Sequence, residues 1–385
     1  MSLKLSDLLN EFPHIALATS AENEELLDYY HQTELAAKES AVQYKRGDNF
    51  FSFLRERSDK FLVFTLRDDN KKLQGVAVAS FRPGYIAGEL LTIGYLGDLR
   101  VSLNRKLIRE WRKFYGKFLE KSPELEETGH CRYFQTALMS SNAYSKNNLA
   151  ETKIPNLFYK ELARYQMVNI IGKFGKSPTS FQVRFAASAD KEELVKFLGV
   201  DHKERLFGHD WTVEFQRRLN EWKNFTLENW IVVRNDKGRL LAATSLWNPI
   251  ASKQIVVPQI PFVFSAISKM AAFVPGLDLK PLPLAGKPID ILYLNQMSFE
   301  QGLERKEQQA ILRAVIDLAF DQSFHMLAYC DFDRDNLTRK MKGLITQKNQ
   351  MGFFSVHYKE TNGDIRDELA LNDKMLTPAF DMALV

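Results

Sequence analysis

The chain has 385 residues, 45% hydrophobic and 26% charged, with a formal net charge of +4. That length exceeds one ordinary core and predicts two domains of roughly 150–200 residues each. The composition is that of a soluble globular protein, and so mild a charge, with no clustered basic face, gives no reason to expect a nucleic-acid partner.

The elements follow in chain order. The N-terminal MSLKLSDLLNEF mixes charged and apolar residues and lacks the apolar run of a secretory signal. IALATSAENEELL (15–27) reads as a strand, a serine-led start at Ser20 and an acidic first helical turn. FLVFTLRDDNKKLQGVAVAS (61–80) reads as two apolar strands about an Asp/Asn/Lys-rich turn, a hairpin. A strand over 90–101 leads into a helix over about 105–120, with Leu107, Ile108, Trp111, Phe114, Phe118 and Leu119 as its apolar stripe. A strand over 131–139, a short helical region and a final strand at 165–172 complete this half. KFGKSPTS (173–180) has the composition of a linker.

The same order then starts again. VRFAASADKEELV (183–195) aligns without gaps on 15–27, and NWIVVRNDKGRLLAATSL (229–246) on the hairpin, with Arg234 at the place of Arg67. Strand 289–297, helix 305–321, strand 325–332 and strand 352–358 follow. Two matches in order at a shared offset predict a tandem duplication. The expected domains are 1–175 and 180–385, the second carrying an insertion at about 250–287. That insertion is apolar and proline-bounded, and is expected to pack as a lid or against the domain interface, with a wall for an apolar substrate or a membrane-contacting face as the alternative. No clean span of ~20 apolar residues exists, so stable membrane insertion is not expected. Cys131 and Cys330 are the only cysteines and form neither a disulfide framework nor a zinc motif. A reducing, cytoplasmic setting fits them. No metal is expected: Asp331, Asp333 and Asp335 lack the glycine and closing glutamate of a calcium loop, and read as a strand end and helix cap.

Each half reads β-α-(α)-β-β-β-α-β-α-β. With the LRVSLNR junction (99–105), this order resembles the GCN5-related N-acetyltransferase superfamily, in two tandem copies. The resemblance implies a mixed α/β sheet and an acyl-CoA-dependent N-acyltransferase. In that family a strand ending in apolar-x-Val meets a glycine-rich loop at a helix start, whose N–H groups hold the pyrophosphate. Leu99, Arg100 and Val101 match the strand end; Arg105, Lys106, Leu107 and Ile108 stand where the loop should be, with side chains in place of glycines. Arg105, Lys106 and Arg109 offer charge-assisted contacts instead. The second copy has Glu300, Glu304 and Glu307 there, which disfavour a pyrophosphate. The first half is therefore expected to be active and the second degenerate.

Acyl transfer needs a proton donor for the leaving thiolate and a base for the amine. The resemblance places an Asn-x-x-Ala and a tyrosine on the helix after the fifth strand. Asn147 and Tyr159 match, making Asn147 a cosubstrate contact and Tyr159 the expected acid, with Tyr144 and Tyr165 as competitors. Asp98 and Glu89 flank the fourth strand as candidate bases; Asp98 has the alternative of pairing with Arg100. The cosubstrate would be acetyl-CoA or another acyl-CoA, and the acceptor a small-molecule or peptide amine. Two other readings stand beside this one. The first is a non-catalytic binding protein of the same fold. The second is a Fem-type aminoacyltransferase using tRNA, which the pI of about 8.8 allows.

Overall fold

A computed structural model describes residues 3–32, 43–102, 104–140, 154–177, 179–258, 274–358 and 377–385. The strands are β1 (Ile15–Leu17), β2 (Gln43–Arg46), β3 (Lys60–Arg67), β4 (Leu73–Ile86), β5 (Glu89–Val101), β6 (Tyr133–Met139), β7 (Leu157–Phe174), β8 (Gln182–Phe185), β9 (Trp230–Arg234), β10 (Leu240–Trp247), β11 (Lys253–Val256), β12 (Leu277–Leu279), β13 (Ile291–Phe299), β14 (Met326–Phe332) and β15 (Leu344–Tyr358). The helices are α1 (Leu5–Leu9), α2 (Asn23–Gln32), α3 (Phe50–Arg57), α4 (Arg105–Lys121), α5 (Lys191–Lys203), α6 (Trp211–Glu221) and α7 (Arg305–Ala319). No described helix is long and apolar enough to cross a membrane.

Thirteen strands form one sheet, in the order β1-β3-β4-β5-β6-β15-β7-β14-β13-β10-β9-β8, with β12 on β7. Read from its two ends, the order is the same series twice. The halves meet by exchange. β15, from the end of the chain, pairs with β6 of the first half, and β7 pairs with β14 of the second. β7 and β15 then run antiparallel to each other along their length. β7 is 18 residues long and contains Tyr159, so this tyrosine lies on a strand and not on the expected helix. The pairing with β15 accounts for this: it holds the backbone of 157–174 extended throughout.

The sequence matches between the halves correspond to repeated contacts. Arg67 bridges Glu22 and Glu25 at 2.8 and 2.5 Å; Arg234 bridges Asp190 and Glu193 at 3.0 and 2.5 Å. In the first hairpin turn Asp68 Oδ1 accepts from the amides of Asn70 and Lys72, both at 3.0 Å. In the second, Asn235 Oδ1 accepts from those of Lys237 and Arg239, at 3.1 and 2.9 Å. Such self-bonding turns hold a short hairpin register. The helix start differs slightly from expectation. The N-cap before the Ser20 turn is Thr19, whose amide donates to Glu22 at 2.8 Å; in the second half the Ala187 amide donates to Asp190 at 2.7 Å. A carboxylate reaching back to the cap amide satisfies that donor.

Alternation along β4 sends Val76 and Val78 to one face and Ala77 and Ala79 to the other. Under α4, Phe64 meets Phe114 and Phe118 edge-to-face at 5.1 Å. Each such buried ring contributes ~2 kcal/mol relative to an exposed one. α7 covers β9, β10, β13 and β14 in the same way, with Ile311, Leu312 and Val315 inward. On the opposite face α2, α3, α5 and α6 share one cluster drawn from both halves, including Phe53, Trp211, Trp230 and Phe353. The described ends of the insertion sit on the first half: β11 pairs with β2, and β12 with β7.

Candidate active site

The site begins as a backbone device. β5 and β6 pair in parallel only over Ile93–Tyr95 and Tyr133–Gln135. Beyond that, on β4, Val78 faces Gly97 and Val76 faces Arg100, so Asp98 and Leu99 together stand opposite Ala77. This is a β-bulge, with Asp98 at φ 55°. The bulge re-aims side chains. Leu96, Leu99 and Val101 pack toward the α4 cluster, while Asp98 turns toward Tyr30, Arg46 and Arg57. Past the parallel pairs a cleft of about 260 Å³ opens between the strands. Its walls there are small, Gly97 and Ala137. A Cβ on Gly97 would lie 2.8 Å from the Tyr95 ring and 3.4 Å from the Arg57 guanidinium.

One wall is apolar: Phe64, Trp111, Phe114 and Phe118, from β3 and α4. At its edge Tyr115 on α4 and Tyr159 on β7 share a hydroxyl–hydroxyl bond of 2.7 Å. Burial pushes both phenol pKa values up, so both are neutral donors across the working pH range.

The other wall is charged. Asp98 is paired with Arg46, and with Arg57 at 3.3 Å, and it accepts from the Tyr30 hydroxyl at 3.2 Å. Burial alone would raise its pKa; Arg46, Arg57 and Arg100 outweigh burial and hold it at about 2. Arg46 lies over the Phe53 and Tyr30 rings at 3.9 and 4.9 Å. Lys253, on β11, stands directly opposite Arg46 in the β2–β11 ribbon. Its Nζ donates to the backbone oxygens of Ala383 and Val385.

The expected site residues divide. Asp98, Leu99, Arg100 and Tyr159 all line this cleft, and Val101 ends the strand that carries three of them. Glu89 does not join them: it is exposed at the β4–β5 hairpin, nine residues from Asp98 and so about 30 Å along the strand. At the α4 start, Asn104 Oδ1 accepts from the amides of Lys106 and Leu107, at 3.0 and 3.4 Å. Two of the N–H groups that would meet a phosphate thus already have an acceptor. Arg105 is exposed, Lys106 is paired with exposed Asp69 at 3.1 Å, Leu107 is buried in the core and Ile108 is half-buried. Asn147 and Tyr144 lie outside the described residues. Arg46, Arg57, Lys253 and Tyr115 were not foreseen from sequence. They come from elements far apart in the chain, and no local spacing marks them.

The second half repeats the device. β13 and β14 pair in parallel over Ile291–Leu294 and Met326–Tyr329. On β10, Ser245 faces Asn295 and Ala243 faces Ser298, so Gln296 and Met297 form a bulge at the same place as Asp98 and Leu99. In register, Asn295 stands where Gly97 does, and Tyr329 and Cys330 where Thr136 and Ala137 do. The cleft there, about 270 Å³, is lined by Asp201, Glu204, Glu300 and Asp335 against Arg205 alone. Among the described residues no group of His, Cys, Asp and Glu is placed to hold a metal.

No protein-family model matches the sequence, and no curated protein matches it. Solved structures do match in shape. Saccharomyces cerevisiae N-myristoyltransferase with bound myristoyl-CoA superposes with a TM-score of 0.57 at 10% identity, over 90% of this chain and 84% of that one. A second N-myristoyltransferase structure, with bound myristoyl-CoA and inhibitors, gives 0.57 at 10% identity, over 90% of this chain and 80% of that one. A GCN5-related glucosamine N-acetyltransferase region of a fungal multi-domain GH3 β-N-acetylglucosaminidase gives 0.57 at 12% identity, over 88% of this chain and 38% of that one. With the doubled strand series and the bulge repeated in β5 and β13, the chain has the fold of the GCN5-related N-acetyltransferase superfamily, as two tandem GNAT-like domains.

Proposed function

We propose that the chain is an acyl-CoA-dependent N-acyltransferase, with the cleft of its first half as the active site. The observation that carries this reading is the bulge-and-splay between β5 and β6. It opens a cleft beside α4, in a fold whose neighbours include a transferase with bound myristoyl-CoA. The thioester lies between the splayed strands, its acyl chain on the apolar wall of Phe64, Trp111, Phe114 and Phe118. The acceptor is a small-molecule or peptide amine. Its nitrogen attacks the thioester carbonyl carbon; the C–N bond forms, the C–S bond breaks, and the proton lost by the amine passes to solvent water. A backbone N–H freed by the bulge polarises the carbonyl. Tyr159, bonded to Tyr115, gives the thiolate its proton. Asp98, held ionised at about 2, is too weak a base for the amine and serves as counter-ion to Arg46 and Arg57. The second half, with Asn295 and Tyr329 in its gap and four carboxylates in its cleft, braces the first and is not catalytic. The free thiols Cys131 and Cys330 suit a reducing, cytoplasmic setting.

One observation favours a different reading, a cosubstrate-free binding protein: Asn104 occupies the amides at the α4 start. A thermal-shift titration with acetyl-, octanoyl- and myristoyl-CoA separates the two. At least one acyl-CoA is expected to raise Tm, and Arg105→Glu to weaken that effect. No shift at any chain length would overturn the transferase reading.

A further inference from the structure

The second cleft has an excess of hydrogen-bond acceptors. Asp201, Glu204, Glu300 and Asp335 line it. The chain itself answers two of these carboxylates: Asp201 pairs with Arg205 at 2.7 Å, and Glu300 pairs with Arg239. Among the described residues Glu204 meets only a neutral group, the Gln301 amide, at 2.8 Å. Asp335 has neither a hydrogen bond nor an ion pair among them. It is half-buried, and burial raises its pKa against the pull of Arg205. An uncompensated carboxylate in such a place is unfavourable. A second observation is independent of charge. Tyr329 lines the cleft and is only 5% exposed, yet its hydroxyl has no partner among the described residues. A buried hydroxyl normally has one. In the same gap Asn295 is 2% exposed and its Oδ1 is buried without a donor. The three groups share one capacity, that of accepting a hydrogen bond. What satisfies them is a donor.

We propose that this cleft binds a small aliphatic ammonium compound, its nitrogen held between the Asp335 carboxylate and the Tyr329 hydroxyl. An ammonium group brings up to three donors, and the positive charge that Asp335 and Glu204 lack. A metal ion fits less well: among the described residues no group of His, Cys, Asp and Glu is placed to hold one. The cleft, about 270 Å³, is at the small end for organic ligands, so the compound has few carbons. Met297, Phe332 and Phe380 supply wall for its chain, and aromatic faces attract cations. The second half is then a non-catalytic binding domain as well as a brace. The inference stands whether or not the first half transfers an acyl group.

The test compares n-butylamine, an ammonium ion at neutral pH, with uncharged n-butanol by calorimetry on the full chain. The amine is expected to bind about tenfold more tightly than the alcohol or better, as a hydrogen bond to a charged partner requires. Asp335→Asn should remove most of that difference, and Tyr329→Phe a smaller part of it. Equal binding of amine and alcohol to the unmutated chain would overturn the proposal without any variant. Amine affinity unchanged in Asp335→Asn would also overturn it, placing the amine elsewhere, the first cleft included. A second measurement needs no ligand. Asp335→Asn removes a charge that has no partner, so the Tm of the ligand-free chain should hold or rise. A fall in that Tm would show that the carboxylate already has a structural partner, and the proposal would fail.

Discussion

The two clefts are built on one backbone plan. In each, two parallel strands pair briefly, a bulge interrupts the first of them, and the strands part beyond their paired residues. Their side chains differ at each position that matters for a ligand. Gly97, Thr136 and Ala137 of the first correspond to Asn295, Tyr329 and Cys330 of the second, and the Lys and Arg side chains around Asp98 correspond to Arg205 among four acidic side chains. The difference teaches that the opening belongs to the fold, whereas what enters it is set by a few side chains. The chemistry proposed for the first half cannot be transferred to the second by topology.

The largest effect is expected where the charge balance of the first cleft is broken. Asp98→Asn leaves Arg46 and Arg57 without their carboxylate and should cost about 3–5 kcal/mol of stability, read from guanidinium unfolding at neutral pH. The pH dependence has a definite sign. The folded pKa of Asp98, about 2, lies below the ordinary 3.8. Its contribution is therefore complete above about 4 and lost as pH falls through about 2. The unmutated chain should lose about 2 kcal/mol over this window, and the Asn variant should not. Equal stability of the two at neutral pH would remove Asp98 as the counter-ion.

A smaller effect is expected from making the first cleft resemble the second. Gly97→Asn copies Asn295 and places a side chain against Tyr95 and Arg57. Overpacking of about 2 kcal/mol corresponds to about thirtyfold in Kd, measured for the best acyl-CoA ligand. Unchanged affinity would show that the gap between β5 and β6 is not the cosubstrate's path. The smallest effect concerns chemistry alone. Tyr159→Phe keeps the ring and removes the hydroxyl bonded to Tyr115. It should lower kcat about tenfold or more, with KM little changed. A kcat equal to that of the unmutated chain would leave Tyr159 a packing residue.

Much of this was legible in the sequence because it depends on short-range pattern. The apolar alternation around 61–80 and the stripe from Leu107 to Leu119 defined hairpin and helix. The matched Arg67 and Arg234 proved to make matched ion pairs. Asp331 caps a turn, accepting from the amides of Leu337 and Thr338 at 2.8 Å, as a strand-ending aspartate should. Only the helix expected at Tyr159 was wrong, because its strand conformation is imposed by β15, nearly two hundred residues away along the chain.

By itself the sequence determined the two hairpins, the helices that follow them, their repetition and the position of the β5–α4 junction, since periodicity and turn chemistry act over a few residues. Only the tertiary structure decided three things. The halves exchange their last strands. β11 lies on β2 and so brings Lys253 opposite Arg46. The basic junction at Arg105 and Lys106 is exposed, while the strongest positive charge is buried behind β5. Each depends on pairings between distant segments, whose registers are chosen by burial and hydrogen bonding in the assembled sheet and leave no local mark.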